Sequence, residues 1–317
     1  MLFALHGADL PLEAMRDAPA FVERLELSTT GKAALARAVA WRVEQRWGSV
    51  AEFRRELRKG LRENPQQVTP PRSYQPAVAG DERIHEKDGT VLVYVPGGEY
   101  TLGADDMSER EKPVHRVRLS PFWIGKFPVT NEQYRRFLEA NPSQQKPALR
   151  SNERFNQPRQ PVVGVSWEDA EAYCRWAGLM LPSEAQWEAA ARGRDGWRYP
   201  WGNEEPTATH ANFNRNVGKT TEVGAYPAGA GRYGTLDQAG NVWEWCLDRW
   251  DENAYRGREG QVDPVAKTGK AAVRVLRGGS WAFEAWSLAA AYRIRLLAEH
   301  RFWLFGFRCV LPVGPEP

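Results

Sequence analysis

The sequence predicts an α+β fold rich in irregular loops, preceded by a small helical region. Short strand-like runs lie between Val91 and Ile124, and capping residues mark three short helices between Thr130 and Gly193. From Tyr199 to the C-terminus turn-forming residues dominate, and no long helical period recurs. Short helices and strands joined by long irregular segments favour the α+β class.

Residues 1–64 form the predicted helical region. An apolar stripe at every fourth position indicates helix there, formed by Leu35, Val39, Val43 and Trp47. The segment 65–89, which contains Pro70-Pro71, is a predicted linker, and residues 90–317 form the main domain. The N-terminal helices carry no chemistry, and we interpret them as a docking element for a protein partner or as an extra packing layer.

The first elements of the main domain are short and extended. Val91–Val95 is β-branched, apolar and ended by Pro96-Gly97-Gly98, which predicts a strand and a turn. Polar and apolar residues alternate from His115 to Leu119, with the period of a strand. Phe122-Trp123-Ile124 follows directly after Pro121.

Each predicted helix starts with a capping box, a Ser or Thr paired with an acid or amide three residues later. The three pairs are Thr130 with Gln133, Ser166 with Asp169, and Ser183 with Gln186. Glycine ends two of the helices, at Gly178 and Gly193, as is common at helix C-termini.

The composition indicates a globular protein without a strong electrostatic bias. Hydrophobic residues make up 42% and charged residues 26% of the chain, and the net charge is +3. So small a charge argues against a nucleic-acid partner. No segment approaches the roughly twenty apolar residues of a membrane span, and the N-terminus lacks the basic start of a signal peptide. We therefore expect a cytoplasmic protein that binds neither nucleic acid nor membrane.

The three cysteines, Cys174, Cys246 and Cys309, have neither CxxC nor CxC spacing. An odd number of cysteines without such spacing favours buried reduced thiols over a disulfide or a metal site.

The C-terminal segment pairs a regular frame with an irregular filling. The frame is Arg277-Gly278-Gly279-Ser280-Trp281 at one end and Gly306-Phe307-Arg308-Cys309 at the other. The residues between them follow neither the strand nor the helix period for long. A frame that holds the backbone around freely chosen side chains is what a binding surface requires, since loops carry specificity and the scaffold carries the fold.

Taken in order, these motifs resemble the formylglycine-generating-enzyme (sulfatase-modifying factor) superfamily, a variant of the C-type-lectin fold. Besides the frame, the matching segments are Pro96–Gly103, Pro128–Tyr134, Pro161–Trp167, Leu181–Glu188, Tyr199–Gly202 and Gly240-Asn241-Val242-Trp243-Glu244-Trp245. The resemblance covers about residues 90–312 and implies a loop-rich C-type-lectin-like domain. It does not cover the N-terminal helical region.

The resemblance does not extend to the metal-binding residues of the catalytic members of the superfamily. In the oxidising enzymes of the superfamily, two cysteines after the Gly-Gly-Ser turn bind copper, and here those positions hold Phe283 and Leu288. Neither side chain offers the thiolate that Cu(I) prefers. The iron-dependent sulfoxide synthases of the superfamily use three histidines, whereas the five histidines here are scattered and His115 resembles a structural scaffold residue. We therefore predict a protein without copper, iron or catalysis.

A third branch of the superfamily, the variable proteins of diversity-generating retroelements, also ends in a Gly-Gly-Ser-Trp to Gly-Phe-Arg segment. The resemblance implies a variable region at about 277–309 that binds a protein surface or an apolar small molecule. Its predicted ligand-binding residues are Ala282, Phe283, Glu284, Ser287, Tyr292, Ile294, Leu296, Leu297, His300, Phe302, Trp303, Leu304 and Phe305. In such proteins the retroelement rewrites adenines of asparagine-type template codons, so the resulting residues have codons that end in cytosine. Glu284 and Trp303 have no such codon, so they need another template codon or are not diversified.

Two alternatives stay open at this point. Phe302-Trp303-Leu304-Phe305 can instead be a buried strand, because a four-residue apolar run with aromatics usually is. The binding hypothesis predicts that alanine at Phe283, Tyr292, Leu304 or Phe305 hardly changes stability. The second alternative is an enzyme, either an oxidase or a sulfoxide synthase with a site that we do not recognise.

The resemblance also implies one structural calcium ion. Its ligands would be the side chains of Asp237 and Glu244 and the backbone carbonyls of Gly240 and Val242. Calcium takes six to eight oxygen ligands, which a compact turn can bring together. The alternative is a turn without metal, in which Asp237 caps the backbone and Glu244 pairs with an arginine.

Overall fold

The computed structural model describes residues 77–269 and 271–313, and the predicted helical region 1–64 lies outside them. The predicted linker 65–89 is wrong in its C-terminal part, because Glu82–Ile84 forms a strand paired with Val91–Val95. The compact unit therefore begins at residue 77 and not at residue 90. Its first strand is short and exposed, so the sequence carried no apolar alternation to indicate it.

The domain contains ten short strands and three α-helices within the described residues. The strands are β1 (Glu82–Ile84), β2 (Val91–Val95), β3 (Gly98–Leu102), β4 (His115–Leu119), β5 (Phe122–Gly125), β6 (Trp243–Arg249), β7 (Val273–Arg277), β8 (Arg293–Leu297), β9 (Phe305–Gly306) and β10 (Val310–Pro312). The helices are α1 (Asn131–Ala140), α2 (Trp167–Ala177) and α3 (Glu184–Arg192). This mixture of few helices and short strands agrees with the predicted α+β class.

The first sheet joins the two ends of the domain. Its strand order is β1-β2-β5-β10, and every neighbouring pair is antiparallel. Val93, Ile124 and Val310 meet in register on one face and are buried there. The predicted strand at Val91–Val95 is confirmed with the same bounds. Strands β3 and β4 form a separate antiparallel hairpin.

All three predicted helix starts are confirmed. Thr130, Ser166 and Ser183 each accept a hydrogen bond from the backbone amide three residues later, and the residue there bonds back to the cap. Gly178, at the end of α2, adopts a left-handed φ of 81° that few other residues tolerate. Local capping therefore determines where the helices begin.

The second sheet, with strand order β8-β7-β6-β9, supports the C-terminal frame. Its four strands lie in the part of the chain, from Tyr199 onward, that we predicted to be dominated by turns. Strand β6 is buried on both faces over most of its length, so it shows no alternation, and β9 has only two residues. Strand β9 runs parallel to β6, with Trp243 opposite Phe305. Such pairing between distant segments leaves no local sequence signal.

The buried thiols and His115 agree with their sequence predictions. All three cysteines are free and buried, and the Sγ atoms of Cys174 and Cys309 lie 3.4 Å apart. His115 is buried, its Nδ1 lies 2.9 Å from the Pro113 carbonyl, and its ring contacts Tyr255. Over the described ranges, no helix is long and apolar enough to cross a bilayer.

Candidate ligand-binding site

Arg277, the first residue of the frame, is a buried anchor. Its Nη1 and Nη2 atoms donate to the carbonyls of Ala291 and Ala290 at 2.9 and 2.8 Å. The same guanidinium pairs with Glu184 and Glu188 on α3, and all three side chains are essentially inaccessible to solvent. Arg277 therefore ties strand β7 both to helix α3 and to the backbone that precedes β8.

Arg293, at the start of β8, forms a second buried anchor. Its Nε and Nη2 atoms donate to the two carboxylate oxygens of Glu184, each at 2.7 Å. The guanidinium also lies 4.4 Å from the ring centroids of Trp250 and Tyr255. Such bidentate, stacked geometry is specific to arginine. Arg293 is thus held by the scaffold and is not available to a ligand.

Arg308 anchors the other end of the frame. Its Nε and Nη2 atoms donate to the two oxygens of Glu244 at 2.6 and 2.7 Å. The remaining donors reach the carbonyls of Gly125 and Leu236 at 2.9 and 2.8 Å. Because a buried charge is stable only when it is paired and hydrogen-bonded, these contacts specify one position for the Gly-Phe-Arg segment.

The carboxylates of α3 are held in their charged form. Burial by itself raises the pKa of Glu188, but the guanidinium groups of Arg277 and Arg192 outweigh it and hold the pKa at about 2. Burial likewise opposes ionisation of Glu184, whose pKa is nevertheless lowered by Arg293 and Arg277. Glu184 and Glu188 therefore form buried ion pairs with Arg277, Arg293 and Arg192 beneath the C-terminal frame.

The two glycines of the frame allow a tight turn. Gly278 and Gly279 have φ values of 98° and 74°, a region that disfavours other residues. A Cβ atom on Gly279 would lie 2.8 Å from Ser287 Oγ, and one on Gly278 would lie 3.0 Å from the Trp187 ring. The turn therefore brings the chain directly against the short 3₁₀ turn Ala285–Leu288.

The structure leaves ten of the thirteen predicted ligand-binding residues at least partly accessible. Four are exposed, namely Glu284, Leu297, His300 and Phe302, and six are half-buried, namely Ala282, Phe283, Tyr292, Ile294, Leu296 and Trp303. Trp286 is 50% exposed and belongs with them, although sequence reasoning missed it. The position of Trp286 between the two ends of the frame was the sequence feature that could have identified it. We call Phe283, Trp286, Tyr292, Phe302 and Trp303 the aromatic surface.

The rings of the aromatic surface form two groups, Phe283 with Trp286 and Tyr292, and Phe302 with Trp303, and each group contacts a buried tryptophan of the core. Trp286 lies edge-on to Tyr292 with ring centroids 5.1 Å apart, and Phe283 lies edge-on to the buried Trp243 at 5.6 Å. Phe302 contacts Trp303 at 5.8 Å. Edge-to-face contacts of this kind stabilise aromatic positions beyond area burial. The surface is therefore preorganised by the fold.

Three of the predicted ligand-binding residues are corrected to core positions. Ser287 is fully buried and its Oγ donates to the Glu284 carbonyl at 2.8 Å. Leu304 and Phe305 are 5% and 6% exposed and both belong to the hydrophobic core: Phe305 lies in β9 opposite Trp243, and the Leu304 carbonyl accepts a hydrogen bond from the Trp243 amide at 2.8 Å. The buried-strand alternative therefore holds for Leu304-Phe305, whereas Phe302 and Trp303 remain at the surface.

The positions that correspond to copper ligands in the oxidases have an apolar environment. Phe283 packs on Trp243, and Leu288 is completely buried beside Tyr199 and Phe213. His85, His115, His210 and His300 are also dispersed. Across the described part of the chain, no three His, Cys, Asp or Glu residues form a group that could hold a metal ion.

Glu244, a predicted calcium ligand, is fully buried and its carboxylate already faces three donors. Besides the two bonds from Arg308, Oε2 accepts a hydrogen bond from Trp187 Nε1 at 2.8 Å. A calcium ion would compete with the guanidinium for the same two oxygens. The contacts of Glu244 therefore fit the hydrogen-bonded alternative better than a calcium site.

The other predicted calcium ligands also bond within the turn. Asp237 has a φ of 57°, and its Oδ2 accepts a hydrogen bond from the Gly224 amide at 2.6 Å. Burial raises the pKa of Asp237 to about 6. The Gly240 carbonyl accepts a bond from the Val242 amide at 2.8 Å. Asp237 thus caps the backbone, as the alternative without metal requires.

Calcium at this turn stays a prediction, which a melting experiment decides. An ion that binds only the native state raises the Tm, so a strong chelator should lower it. Asp237→Asn keeps a residue type that tolerates positive φ and removes one charge, so this variant should lose the chelator effect. If the chelator leaves the Tm unchanged and elemental analysis finds no calcium, hydrogen bonds alone hold the turn.

Solved structures with this fold cover most of the chain. PvdO from Pseudomonas aeruginosa is 27% identical with a TM-score of 0.67, and the match covers 75% of this chain and 100% of PvdO. Treponema denticola variable protein 1 is 25% identical with a TM-score of 0.60, and that match covers 74% of this chain and 99% of the other. Both are consistent with a C-type-lectin-like fold.

Sequence relatives carry several different names. A serine/threonine-protein kinase Pkn1 of Chlamydia trachomatis is 37% identical over 241 residues, which are 71% of this chain but 38% of that kinase. The hercynine oxygenase of Mycolicibacterium smegmatis is 33% identical over 63% of this chain and 56% of that enzyme. The chain therefore spans less than two thirds of the length of these two relatives.

A formylglycine-generating enzyme of Thermomonospora curvata is matched over most of its own length. It is 34% identical over 250 residues, which are 60% of this chain and 82% of the enzyme. Residues 77–313, the whole described domain, match the sulfatase-modifying factor enzyme 1-like domain. The chain belongs to the family of sulfatase-modifying factor enzyme 1-like domains.

Proposed function

We propose that this chain is a non-catalytic ligand-binding protein, in which residues 277–309 present the binding surface. The observation that carries the proposal is the aromatic surface, in which Trp286 is 50% and Phe302 45% exposed between two buried arginine anchors. Large aromatic side chains give contact area at a low cost in conformational entropy, as in antibody loops. An accessible apolar patch on a fixed scaffold is typical of an interaction site.

The absence of catalysis is part of the proposal. Phe283 and Leu288 occupy the positions that hold copper-binding cysteines in the related oxidases, and both pack into apolar surroundings. Apolar side chains cannot bind Cu(I), which requires soft thiolate or thioether ligands. The ligand in this proposal is a protein surface or an apolar small molecule, because the accessible residues are mainly aromatic and aliphatic.

The finer form of the proposal is that a retroelement diversifies the variable region. The similarity to Treponema denticola variable protein 1 supports it. The test lies in the genome, where we expect an adenine-rich, near-identical copy of this segment beside a reverse transcriptase gene. Natural sequence variants should change at the accessible positions and leave Arg277, Arg293 and Arg308 unchanged. Variation that is spread evenly over the domain would refute the diversification.

A binding experiment tests the surface itself. We expect aromatic fragments detected by ligand-observed NMR to bind the native chain and to lose binding to the double variant Trp286→Ala/Phe302→Ala. Val262→Ala is the matched control, because Val262 is an exposed apolar residue outside the variable region. Equal binding by the native chain and the double variant would contradict the proposed site.

An enzyme remains the second candidate, and the formylglycine-generating enzyme and hercynine oxygenase among the relatives favour it. Elemental analysis combined with an activity screen separates the candidates. Copper or iron bound in a one-to-one ratio, together with oxygen consumption on a cysteine-containing peptide, would overturn the non-catalytic proposal. Cys174→Ser is a useful variant there, since Cys174 and Cys309 form the closest thiol pair.

A further inference from the structure

A groove with a volume of 470 Å³ runs along the outer side of helix α1, outside the aromatic surface. One wall is formed by a single face of the helix, since Asn131, Tyr134, Arg135, Leu138 and Glu139 follow the i, i+3, i+4, i+7 pattern. The opposite wall is formed by residues in the segment 142–162. Pockets for small ligands have volumes of roughly 300–1,000 Å³, so this groove has a suitable size.

The floor of the groove is apolar. Leu138 is half-buried, and Tyr134, Pro147 and Val162 are buried beneath the opening. Tyr134 stacks on Tyr173 with ring centroids 5.7 Å apart and nearly parallel ring planes, so core packing holds its position. A rigid apolar floor favours an alkyl chain or a ring over a fully hydrated ion, because burial of apolar area supplies most of the affinity.

Within residues 77–269 and 271–313, the rim of the groove carries more cations than anions. Arg135 pairs with Glu139 on the same helix. Lys146 and Arg150, both exposed on the opposite wall, have no carboxylate within ion-pair distance among the residues that the structure describes. The groove therefore has three cations and one anion along its sides. Two exposed cations that no described carboxylate pairs with, beside an apolar floor, complement a molecule with an apolar body and one negative end.

We propose that this groove binds a small amphipathic carboxylate, with its apolar body over Leu138, Pro147 and Val162 and its carboxylate between Lys146 and Arg150. Arginine and lysine both donate charge-assisted hydrogen bonds to carboxylates, and such bonds are stronger than neutral ones. This site is separate from the proposed aromatic surface, and its failure would leave the proposed function untouched.

Decanoate is the probe, with decyltrimethylammonium as a ligand of equal chain length and opposite charge. By isothermal titration calorimetry of the full chain, we expect decanoate to bind at one site at least tenfold more tightly than the cation. Lys146→Glu/Arg150→Glu should weaken decanoate binding at least tenfold. Arg256→Glu/Lys267→Glu makes the same charge change at exposed residues outside the groove and should leave the affinity unchanged.

A further variant separates the groove from the aromatic surface. Trp286→Ala/Phe302→Ala should retain decanoate binding, because neither residue lines the groove. Equal affinity for the anion and the cation would overturn the proposal. It would also be overturned if the native chain bound no decanoate, if the groove variant bound as tightly as the native chain, or if the aromatic variant lost binding.

Discussion

Replacing Glu188 with glutamine is expected to lower the free energy of unfolding by about 3–5 kcal/mol, as removal of one partner from a buried ion pair does. Glu188 is fully buried and accepts hydrogen bonds from Arg192 Nη1 at 2.7 Å and from the Gly103 amide at 2.8 Å, besides its pairing with Arg277. The NH₂ group of glutamine would face the N–H donors that now bond to the carboxylate, and the positive charge of Arg192 and Arg277 would lose its partner. Urea unfolding at pH 7 measures the loss.

Glu171→Gln provides a matched control for this change. Glu171 also pairs with an arginine four residues later, Arg175, but this pair lies at the surface of α2. Exposed pairs of this kind contribute about 0–1 kcal/mol. If both variants lose the same free energy of unfolding, burial is not what makes the network beneath the variable region important.

The pH dependence follows from the sign of the pKa shift at Glu188. Its folded-state pKa of about 2 is below the ordinary 4.5, so its charge stabilises the fold above pH 4.5. This contribution is lost as pH falls from 4.5 toward 2. The stability difference between the native chain and Glu188→Gln should therefore be constant above pH 4.5 and shrink below it. A difference that does not change with pH would contradict an ionised Glu188.

The second large effect is expected within the variable region, where two phenylalanines three residues apart differ in burial. Phe305→Ala should lower the free energy of unfolding by about 3–5 kcal/mol, because its 6% exposed ring fills the core and contacts Trp245 at 5.5 Å. Phe302→Ala should cost about 1 kcal/mol, since its ring is 45% exposed and loses mainly contacts with other rings. Thermal and urea unfolding of the two variants measure the difference.

These two variants also separate scaffold from surface. Phe302→Ala should keep the native Tm within a few degrees and still weaken binding at the aromatic surface. Phe305→Ala should lower the Tm and also weaken that binding. Similar losses of stability in both variants would mean that Phe302 belongs to the core and would remove it from the proposed surface.

Local sequence signals predicted the helix starts and one strand in the first half of the domain. The capping boxes at Thr130, Ser166 and Ser183 predicted all three helix starts, because a cap is a contact between residues three positions apart. Val91–Val95 was predicted with its observed bounds, because a continuous β-branched apolar run ended by proline and glycine has few other solutions. The buried free cysteines also followed from residue type and spacing, whereas the structural role of His115 was implied by the family resemblance.

Features that depend on partners distant in the sequence were not predicted. Strand β1 was assigned to a linker because its exposed residues show no apolar alternation. Strands β6 and β9 were missed because one is buried on both faces and the other contains two residues. Trp286 was omitted from the candidate surface because nothing local distinguishes an exposed tryptophan from a buried one.

By itself, the sequence determined the class of the domain, the three helix starts and the C-terminal frame, because these depend on residues that are close together in the chain. Only the tertiary structure decided which side chains inside the frame reach solvent. The run Phe302–Phe305 has no period that separates two faces, and its division depends on the pairing of β9 with β6. That pairing joins residues far apart in sequence, so burial, and with it the proposed binding surface, is a property of the assembled fold.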